Sequence, residues 1–312
     1  MSTKKYDIVI IGGGPAGLTA ALYSGRANKS VIILEKETFG GQITYSPKVE
    51  NIPGFPALSG NEFAEKFTEQ VLSHGADVDI CEVLSVKKNG DGFTVCTDGG
   101  EFDGYDADAV IIATGARHRL LGLEGEEGFI GNGVSFCAVC DGAFYKGKTV
   151  AVVGGGNSAL QEAILLSDLA AKVYVIQNLD FLTGEESLQC QLGEKTNVEV
   201  ITGTVLESYI GSGDITGVTV KRVSDGTVRE ISLDGVFLAV GLVPQNEPFA
   251  GLIELDGRGY AVSDEGCTTS VPGIFVAGDC RTKRIRQVTT AASDGAVAAL
   301  AACDFLSDKN AG

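Results

Sequence analysis

The 312-residue sequence has only two histidines, His74 and His118, and neither forms a paired motif with a cysteine. A structural zinc site takes four Cys or His ligands, usually as two closely spaced pairs. The chain has one closely spaced pair of cysteines and no second pair of either residue type. The sequence therefore predicts no metal site.

Long apolar runs are also missing, since no stretch approaches the ~20 residues that a membrane-spanning helix needs. Lys4 and Lys5 precede a short apolar stretch that ends at Ile11, which superficially resembles a signal peptide. That stretch is too short for a signal peptide and runs into a glycine loop without a cleavage pattern. We interpret it as a first β-strand and expect a cytoplasmic protein.

Positive charge is scarce, because 24 Lys and Arg residues stand against 41 Asp and Glu residues, a net charge of −17. Such a field repels nucleic acid and anionic membranes, so neither is predicted as a partner. The chain is rich in glycine, with 43 residues, and 44% of it is hydrophobic, which is typical of a folded α/β protein. Its length allows two domains with a core in each.

Two segments of about 30 residues share a plan of strand, glycine turn, helix and strand. The first has strands over 6–11 and 30–34, with glycines 12–14 and a helix over 15–27 between them. The second repeats this plan over 149–178. In such a βαβ context a glycine fingerprint indicates dinucleotide binding.

The first fingerprint has the chemistry of a dinucleotide site. Gly12 permits a tight turn, Gly14 lets the backbone approach a pyrophosphate, and Gly17 allows close helix packing. The helix N-terminus that follows stabilises phosphate charge. Glu35, at the tip of the second strand, is placed to accept hydrogen bonds from ribose hydroxyls. We therefore predict nucleotide binding at this unit.

Two later segments belong with this unit. Residues 109–115 are predicted to form a buried strand that ends in a tight turn, and residues 273–279 form another, followed by a helix from about Gln287. Asp279 is placed to hydrogen-bond the polyol of a flavin nucleotide. The start of the helix after Gln287 favours negative charge on a flavin ring.

Cys137 and Cys140 are the cysteines spaced to form a local disulfide, which can hold two electrons. Asp141 follows directly, and no histidine stands nearby in the sequence, so this carboxylate is the acid/base candidate of the motif. The remaining cysteines are expected to be free, small, buried hydrophobic side chains: Cys81, Cys96, Cys190, Cys267, Cys280 and Cys303. A dithiol beside two dinucleotide sites indicates electron transfer between a cofactor and a disulfide.

Seven motifs follow one another in a specific order: 12–17, 40–42, 49–54, 113–115, 137–141, 154–159 and 278–279. This order closely resembles that of the low-molecular-weight thioredoxin reductases, along essentially the whole chain. The resemblance implies an α/β fold with two Rossmann-like, three-layer dinucleotide-binding domains, the second inserted in the first. Residues 1–116 plus 245–312 would bind FAD, and 117–244 would form a nicotinamide-type domain that carries the Cys pair. A homodimer is also implied.

The same resemblance implies roles for individual residues. FAD would be held by Gly12, Gly14, Pro15, Ala16, Gly17, Glu35, Gly41, Gln42, Asn51, Ala113, Gly278, Asp279, Arg286, Gln287 and Val288. Cys140 would exchange electrons with the flavin, and Cys137 would attack the disulfide of thioredoxin or another small dithiol protein. Asp141 would handle the proton.

The second nucleotide site departs from the family. In members that use NADPH, the second strand is followed by a His-Arg-Arg-x-x-x-Arg pattern, whose arginines pair with the 2′-phosphate. Here residues 177–183 contain no cation, and Asp180 would repel a phosphate. The donor stays open among NADH, NADPH held by other contacts, and a protein donor such as ferredoxin or another flavin. Candidate nicotinamide-binding residues are Gly154, Gly156, Asn157, Ser158 and Ala159.

Two other functional classes share this fold. A dithiol oxidase passes electrons to oxygen, but the resemblance there favours a His after the second Cys, where this chain has Asp141. A non-catalytic, redox-sensing flavoprotein does not need an intact Cys-x-x-Cys-Asp motif. The basic segment 281–286 is predicted either to neutralise a flavin phosphate or dock an acidic partner, or to be a solvated turn.

Overall fold

The structure is a computed structural model that describes residues 3–46 and 49–311, without the side chains of residues 310 and 311. Residues 1, 2 and 312, at the ends of the predicted first domain, lie outside the described residues, as do residues 47 and 48. Within the described ranges, no helix is long and apolar enough to cross a membrane.

The described chain contains helices separated by single strands or by runs of consecutive strands. The α-helices are α1 (Pro15–Arg26), α2 (Gly60–Leu72), α3 (Ala138–Asp141), α4 (Asn157–Ser167), α5 (Glu186–Gly193) and α6 (Val288–Ala311). The strands are β1 (Thr3–Ile11), β2 (Val31–Glu35), β3 (Asp77–Ile80), β4 (Glu82–Asn89), β5 (Gly92–Asp98), β6 (Gly104–Ile112), β7 (Ala116–His118), β8 (Val134–Ser135), β9 (Thr149–Val153), β10 (Lys172–Ile176), β11 (Val198–Ile201), β12 (Thr204–Ser212), β13 (Asp214–Arg222), β14 (Val228–Ser232), β15 (Gly235–Leu238), β16 (Leu242–Pro244) and β17 (Ile274–Val276). Short 3-10 helices cover Gly41–Tyr45, Glu126–Phe129, Gly142–Tyr145, Glu247–Phe249 and Gly278–Cys280.

The described residues form two compact units. The first contains 3–46, 52–117 and 243–311, and the second contains 49–51 and 118–242. The chain thus changes unit after residues 117 and 242, where the sequence predicted 116 and 244. Residues 49–51 differ from the prediction, since they cluster with the second unit, where the Asn51 side-chain amide donates to Cys140 Sγ at 3.9 Å. Which cofactor each unit binds stays a prediction.

The first unit is built on a seven-stranded sheet in the order β3-β2-β1-β6-β5-β4, with β17 also paired to β6. Strands β1, β2, β3, β6 and β17 pair in parallel, and β4 and β5 extend the sheet in antiparallel fashion. Ile8 and Ile10 of β1 are buried with residues of α1 and α6, whereas Val9 and Ile11 are buried in a second core on the other face. Burial of both faces explains why β1 reads as a continuous apolar run.

The second unit has a five-stranded parallel sheet in the order β11-β10-β9-β15-β8. Val150 and Val152 of β9 pack with α4, and Ala151 and Val153 pack with the antiparallel sheet β12-β13-β14. The unit therefore has three layers. The predicted α/β class, with two Rossmann-type units, is confirmed.

Parallel pairing decides where the motifs lie, because the carboxyl ends of parallel strands meet at one edge of a sheet. In the first unit, the glycine turn after β1, Ala113 after β6 and Gly278 after β17 share such an edge. In the second unit, the glycine turn after β9 and Cys137 after β8 share another. Each predicted site thus lies where α/β folds bind their ligands.

Candidate functional site

The first glycine turn is shaped by close backbone contacts. Gly12 has φ +108°, and a Cβ there would lie 2.4 Å from the carbonyl oxygen of Ala113. A Cβ at Gly17 would lie 1.9 Å from the carbonyl oxygen of Gly12, so α1 begins in contact with the turn. In contrast, a Cβ at Gly14 would meet no atom within 4 Å. The turn therefore leaves one open face, at the N-terminus of α1, where a phosphate is stabilised.

Glu35 is held at the tip of β2 by backbone donors. Its Oε2 accepts the N–H of Gly13 at 2.6 Å, and its Oε1 accepts the N–H of Glu37 at 2.9 Å. Since each carboxylate oxygen has two acceptor positions, both retain capacity for ribose hydroxyls. The side-chain amide of Gln42 donates to the carbonyl oxygen of Ala116, which keeps the Gly41–Tyr45 turn on the first unit.

Asp279 lies in the turn that follows β17. The turn packs on the start of α1, since a Cβ at Gly278 would lie 2.8 Å from the Cβ of Ala16. Asp279 Oδ1 is buried and has no hydrogen-bond partner among the described residues. Burial raises the pKa of Asp279, and the charges of Lys283 and Arg286 oppose this shift. A buried acceptor without a partner is the group that a hydroxyl-bearing ligand would satisfy.

These features fit FAD. Gly14 offers an open face for the pyrophosphate, Glu35 offers acceptors for the ribose, and Asp279 offers a buried acceptor for the polyol. The structure brings the other glycines and alanines of the predicted set around the same turn: Gly12, Ala16, Gly17, Gly41, Ala113 and Gly278. Their contacts with FAD stay predictions.

The basic segment 281–286 is largely structural. The Arg281 and Lys283 side chains are buried and ion-paired with Asp294. Arg286 donates to the carbonyl oxygen of Asp279 at 3.3 Å, and its guanidinium lies 4.3 Å from the ring centre of Tyr260. The predictions of a docking surface or a solvated turn are therefore wrong for Arg281 and Lys283. Sequence reasoning missed their partner because it stands on another element, α6.

The Cys pair forms a disulfide in the second unit, as predicted. Cys137 directly precedes α3, and the Cα atoms of Cys137 and Cys140 are 5.3 Å apart. The Cys140 N–H donates to Cys137 Sγ at 3.2 Å, and the Cys137 N–H donates to Ser135 Oγ at 3.2 Å. A backbone donor directed at Sγ stabilises negative charge on Cys137 once the disulfide is opened.

Asp141 shares this anchoring through Ser135, whose hydroxyl donates to Asp141 Oδ2 at 2.6 Å. Its other oxygen, Oδ1, is buried without a partner among the described residues. Burial raises the pKa of Asp141, and the hydrogen bond from Ser135 only partly offsets this. Asp141 therefore keeps its proton to higher pH than an ordinary Asp, which suits an acid near thiol groups. Its role stays a prediction.

A histidine missed by the sequence lies beside the Cys motif. The His118 ring stacks on Phe136, the residue before Cys137, with ring centroids 4.4 Å apart. No histidine is near the motif in the sequence, but His118 is near it in space, and no local signal could have shown this. Burial lowers the pKa of His118 to about 4, so its ring is neutral at pH 7. It cannot stabilise a thiolate by charge.

The second glycine turn is covered by the loop that follows β10. The carbonyl oxygen of Gly155 accepts the N–H of Thr183 at 2.8 Å and that of Gly184 at 2.9 Å. The Asn157 amide donates to Glu185 Oε1 at 2.8 Å, and the Glu185 N–H donates back to Asn157 Oδ1 at 2.7 Å. The start of α4 is thus hydrogen-bonded to an acidic residue, whereas the NADPH-using family members have arginines after this strand.

Gln177, at the tip of β10, is buried, and its side chain contacts neighbouring groups of the protein. Its Nε2 donates to the carbonyl oxygen of Phe181 at 3.4 Å, and a Cβ at Gly155 would lie 2.5 Å from its Cδ. Residues 177–185 contain two carboxylates, Asp180 and Glu185, and no Lys, Arg or His. This loop therefore offers no cation to pair with a 2′-phosphate. The face at Gly156, where the nearest atom to an added Cβ is Thr183 Oγ1 at 3.8 Å, leaves room for a pyrophosphate.

The unpaired cysteines differ from expectation. Cys190 is exposed and Cys96 and Cys303 are half-buried, which corrects the expectation that all of them are buried. Glu162 of α4 is half-buried, but its Oε2 is buried without a partner within the described part of the chain, and burial raises the pKa of Glu162 to about 8. Among the described residues, no group of three or more His, Cys, Asp or Glu could hold a metal ion.

The chain matches the model of the pyridine nucleotide-disulphide oxidoreductase family over residues 6–295. It therefore belongs to this family of enzymes, which as a whole works with flavin and nicotinamide cofactors, and the predicted class of disulfide oxidoreductase is confirmed.

More particular relatives agree with the motif order. The chain is 42% identical to a thioredoxin reductase of Listeria monocytogenes over 299 residues, which cover 95% of this chain and 92% of the relative. It is 41% identical to that of Treponema pallidum over 305 residues, covering 96% and 97%. The crystal structure of thioredoxin reductase from Streptococcus pyogenes matches with a TM-score of 0.92 at 40% identity, covering 98% of this chain and 100% of the other. The resemblance to low-molecular-weight thioredoxin reductases is confirmed.

Proposed function

We propose that this chain is an FAD-dependent thioredoxin reductase, which passes two electrons through Cys137 and Cys140 to thioredoxin or a similar small dithiol protein. The observation that carries the proposal is the Cys137–Cys140 disulfide at the carboxyl edge of a Rossmann-type sheet. The similarity to thioredoxin reductases over nearly the whole chain supports it.

The first unit supplies the residues that would hold FAD. The backbone of Gly12–Gly17 and the start of α1 would bind the pyrophosphate, Glu35 the ribose and Asp279 the polyol. When bound and reduced by the electron donor, FAD would supply the two electrons that open the Cys137–Cys140 disulfide.

The opened pair would then act as the reductant. The Cys137 thiolate attacks one sulfur of the partner's disulfide, which forms a mixed disulfide and releases the partner's other sulfur as a thiolate. This thiolate takes a proton, which we assign to Asp141. Cys140, also as a thiolate, attacks Cys137 Sγ, releases the second partner thiolate and restores the Cys137–Cys140 bond. Two electrons leave the chain for each partner disulfide that is reduced.

Replacing one member of the pair tests this assignment. Cys140→Ser should lower thioredoxin-coupled turnover by at least about 1000-fold, because a nucleophile that acts as part of a unit is lost. The flavin absorbance should stay, since the FAD-binding residues are unchanged. Cys190→Ser, at an exposed free thiol, is the matched control and should turn over normally. Normal turnover by Cys140→Ser would show that the mechanism is wrong.

We infer that the electron donor is not NADPH. The loop 177–185 has two carboxylates and no cation, and Gln177 directs its amide to Phe181. Without guanidinium groups a dianionic 2′-phosphate has no partner there. Neither NADH nor a protein donor such as ferredoxin would bring a 2′-phosphate to this loop.

Anaerobic mixing separates these donors. The flavin absorbance of the purified protein is followed after addition of NADPH, then NADH, each in excess. We expect slow or no bleaching by NADPH, and rapid bleaching by NADPH would overturn the inference. Bleaching by NADH alone identifies a nicotinamide donor, whereas none with either nucleotide but bleaching by reduced ferredoxin identifies a protein donor.

Two further predictions from the sequence are kept as proposals. We propose a homodimer, to be checked by sedimentation at micromolar concentration, and a cytoplasmic location, to be checked by cell fractionation.

A further inference from the structure

The buried carboxylate of Asp294, on helix α6, is ion-paired with two cationic side chains. Asp294 is 7% exposed and Arg281 is 4% exposed. Arg281 donates from Nε and Nη2 to the two oxygens of Asp294 at 2.8 and 2.9 Å, and Lys283 Nζ donates to Oδ2 at 2.8 Å. Burial alone would raise the pKa of Asp294. The hydrogen bonds and charges of Arg281 and Lys283 outweigh this effect, so the pKa is lowered below its usual value. The group is therefore an ionised cluster with one surplus positive charge.

The same carboxylate holds the turn that contains Asp279. Asp294 Oδ2 also accepts the N–H of Gly278 at 3.0 Å, and Gly278 immediately precedes Asp279. Arg281 and Lys283 stand on the other side of the turn, where Arg281 donates to both oxygens of Asp294 and Lys283 to Oδ2. One side chain of α6 thus fixes both ends of the segment on which Asp279 lies.

The turn has little room to move against α1. A Cβ at Gly278 would lie 2.8 Å from the Cβ of Ala16, and a Cβ at Gly295 would lie 2.1 Å from the carbonyl oxygen of Ala16. The start of α1, the turn and α6 therefore meet at one tightly packed point, directly beside Asp294. Because Asp294 is hydrogen-bonded directly to the turn at this point, a change in its hydrogen bonds acts on the position of the turn.

We propose that Asp294 is a positioning residue for the flavin nucleotide: through Gly278, Arg281 and Lys283 it sets the position of Asp279, the acceptor for the polyol. This inference rests on the proposed FAD-binding function. Asp294 itself need not touch the cofactor. Its effect on binding passes through the turn.

The test measures nucleotide affinity of the apoprotein, without turnover. Asp294→Asn should raise the Kd for FAD at least about 10-fold, because hydrogen bonds to a charged group are lost at the turn. The Kd for ADP, which lacks the flavin and polyol, should change less than about 2-fold, since Gly14 and Glu35 are not bonded to Asp294. Asp108→Asn is the matched control. It breaks ion pairs with Lys5 and with Lys309 near the other end of α6, and should leave the Kd for FAD unchanged.

The outcomes are distinguishable. If the wild-type apoprotein does not bind FAD, the proposed function fails and this inference falls with it. If the wild type binds FAD and folded Asp294→Asn binds it equally well, or if FAD and ADP weaken alike, only the positioning role is wrong. If Asp294→Asn does not fold, Arg281→Lys decides: it keeps the charge but not the bidentate pair, and should raise the Kd for FAD about 5-fold. An unchanged Kd in that variant overturns the proposal.

Discussion

The two glycine turns share one backbone arrangement, but the side chains at the tips of their second strands make different hydrogen bonds. In both, the loop after the second strand donates to the carbonyl of the middle glycine: Gly40 to Gly13 at 2.8 Å, and Thr183 to Gly155 at 2.8 Å. Glu35 accepts a backbone N–H and keeps acceptor capacity, whereas Gln177 directs its amide at a backbone carbonyl. The backbone therefore specifies a dinucleotide site, and the strand-tip side chain decides what that site can recognise.

The helices also differ in how closely they approach the turn. In the first unit α1 comes so near that a Cβ at Gly17 would lie 1.9 Å from a carbonyl oxygen. In the second unit the corresponding residue is Ala159, fully buried, and its Cβ would be 3.3 Å from a Cβ added at Gly154. The third glycine of the fingerprint is thus required in one unit and dispensable in the other.

Among variants that test this difference between the helices, the largest effect is expected for Gly17→Ala. The added Cβ meets backbone on a packed helix, so FAD binding should weaken at least about 100-fold, with a loss of several kcal/mol in stability. The mirror variant Ala159→Gly should cost only about 1 kcal/mol, the difference in helix propensity. FAD titration and urea unfolding measure both. Equal effects of the two variants would show that the third fingerprint position is no more restricted in the first unit than in the second.

A smaller effect is expected where one helix has a carboxylate and the other an apolar side chain. Glu162 of α4, whose Oε2 is buried, corresponds to the buried Ala20 of α1. Because burial raises the pKa of Glu162 to about 8, the native state keeps a proton that the unfolded chain loses above about pH 4.5, so stability falls as pH rises from 4.5 to 8. Glu162→Gln should therefore raise the unfolding free energy at pH 8 by on the order of 2 kcal/mol, and by much less at pH 5.

Urea unfolding at both pH values checks this expectation. Glu69→Gln, at an exposed position on α2, is the control and should show no pH-dependent gain. A gain from Glu162→Gln that is the same at pH 5 and pH 8 would rule out titration of this carboxyl as its cause.

The smallest effect concerns the loop at the strand tip. The double variant Asn178→Arg with Leu179→Arg should increase NADPH-driven bleaching of the flavin about 10-fold, since guanidinium groups pair with a 2′-phosphate. The control replaces the same two residues with Gln. Stopped-flow absorbance measures the rates, and an equal gain from both double variants would mean that charge is not what excludes NADPH.

Much of the fold could be predicted because its signals are local. The predicted helix over 15–27 and strand over 30–34 agree with α1 and β2 to within one residue at each end, and α6 begins at Val288, one residue after the predicted start. An apolar run followed by a glycine turn and a helix specifies its own βαβ unit, and the spacing of Cys137 and Cys140 allows a local disulfide.

Parts of the candidate site could not be predicted because they depend on residues far apart in the chain. Arg281 and Asp294 are paired across a turn and a helix, and the basic segment alone does not indicate that partner. His118, at the end of β7, and Phe136, directly after β8, are neighbours although 17 residues lie between them.

The sequence by itself determined the βαβ units, the family and the electron-carrying pair, since these depend on residue order and short spacing. The tertiary structure alone decided which charged groups are buried and paired, where Gln177 directs its amide, and that Asp279 keeps an acceptor without a partner among the residues that the structure describes. The physical reason is that the energy of a polar group depends on its desolvation and its partners, and both are set by packing between distant segments.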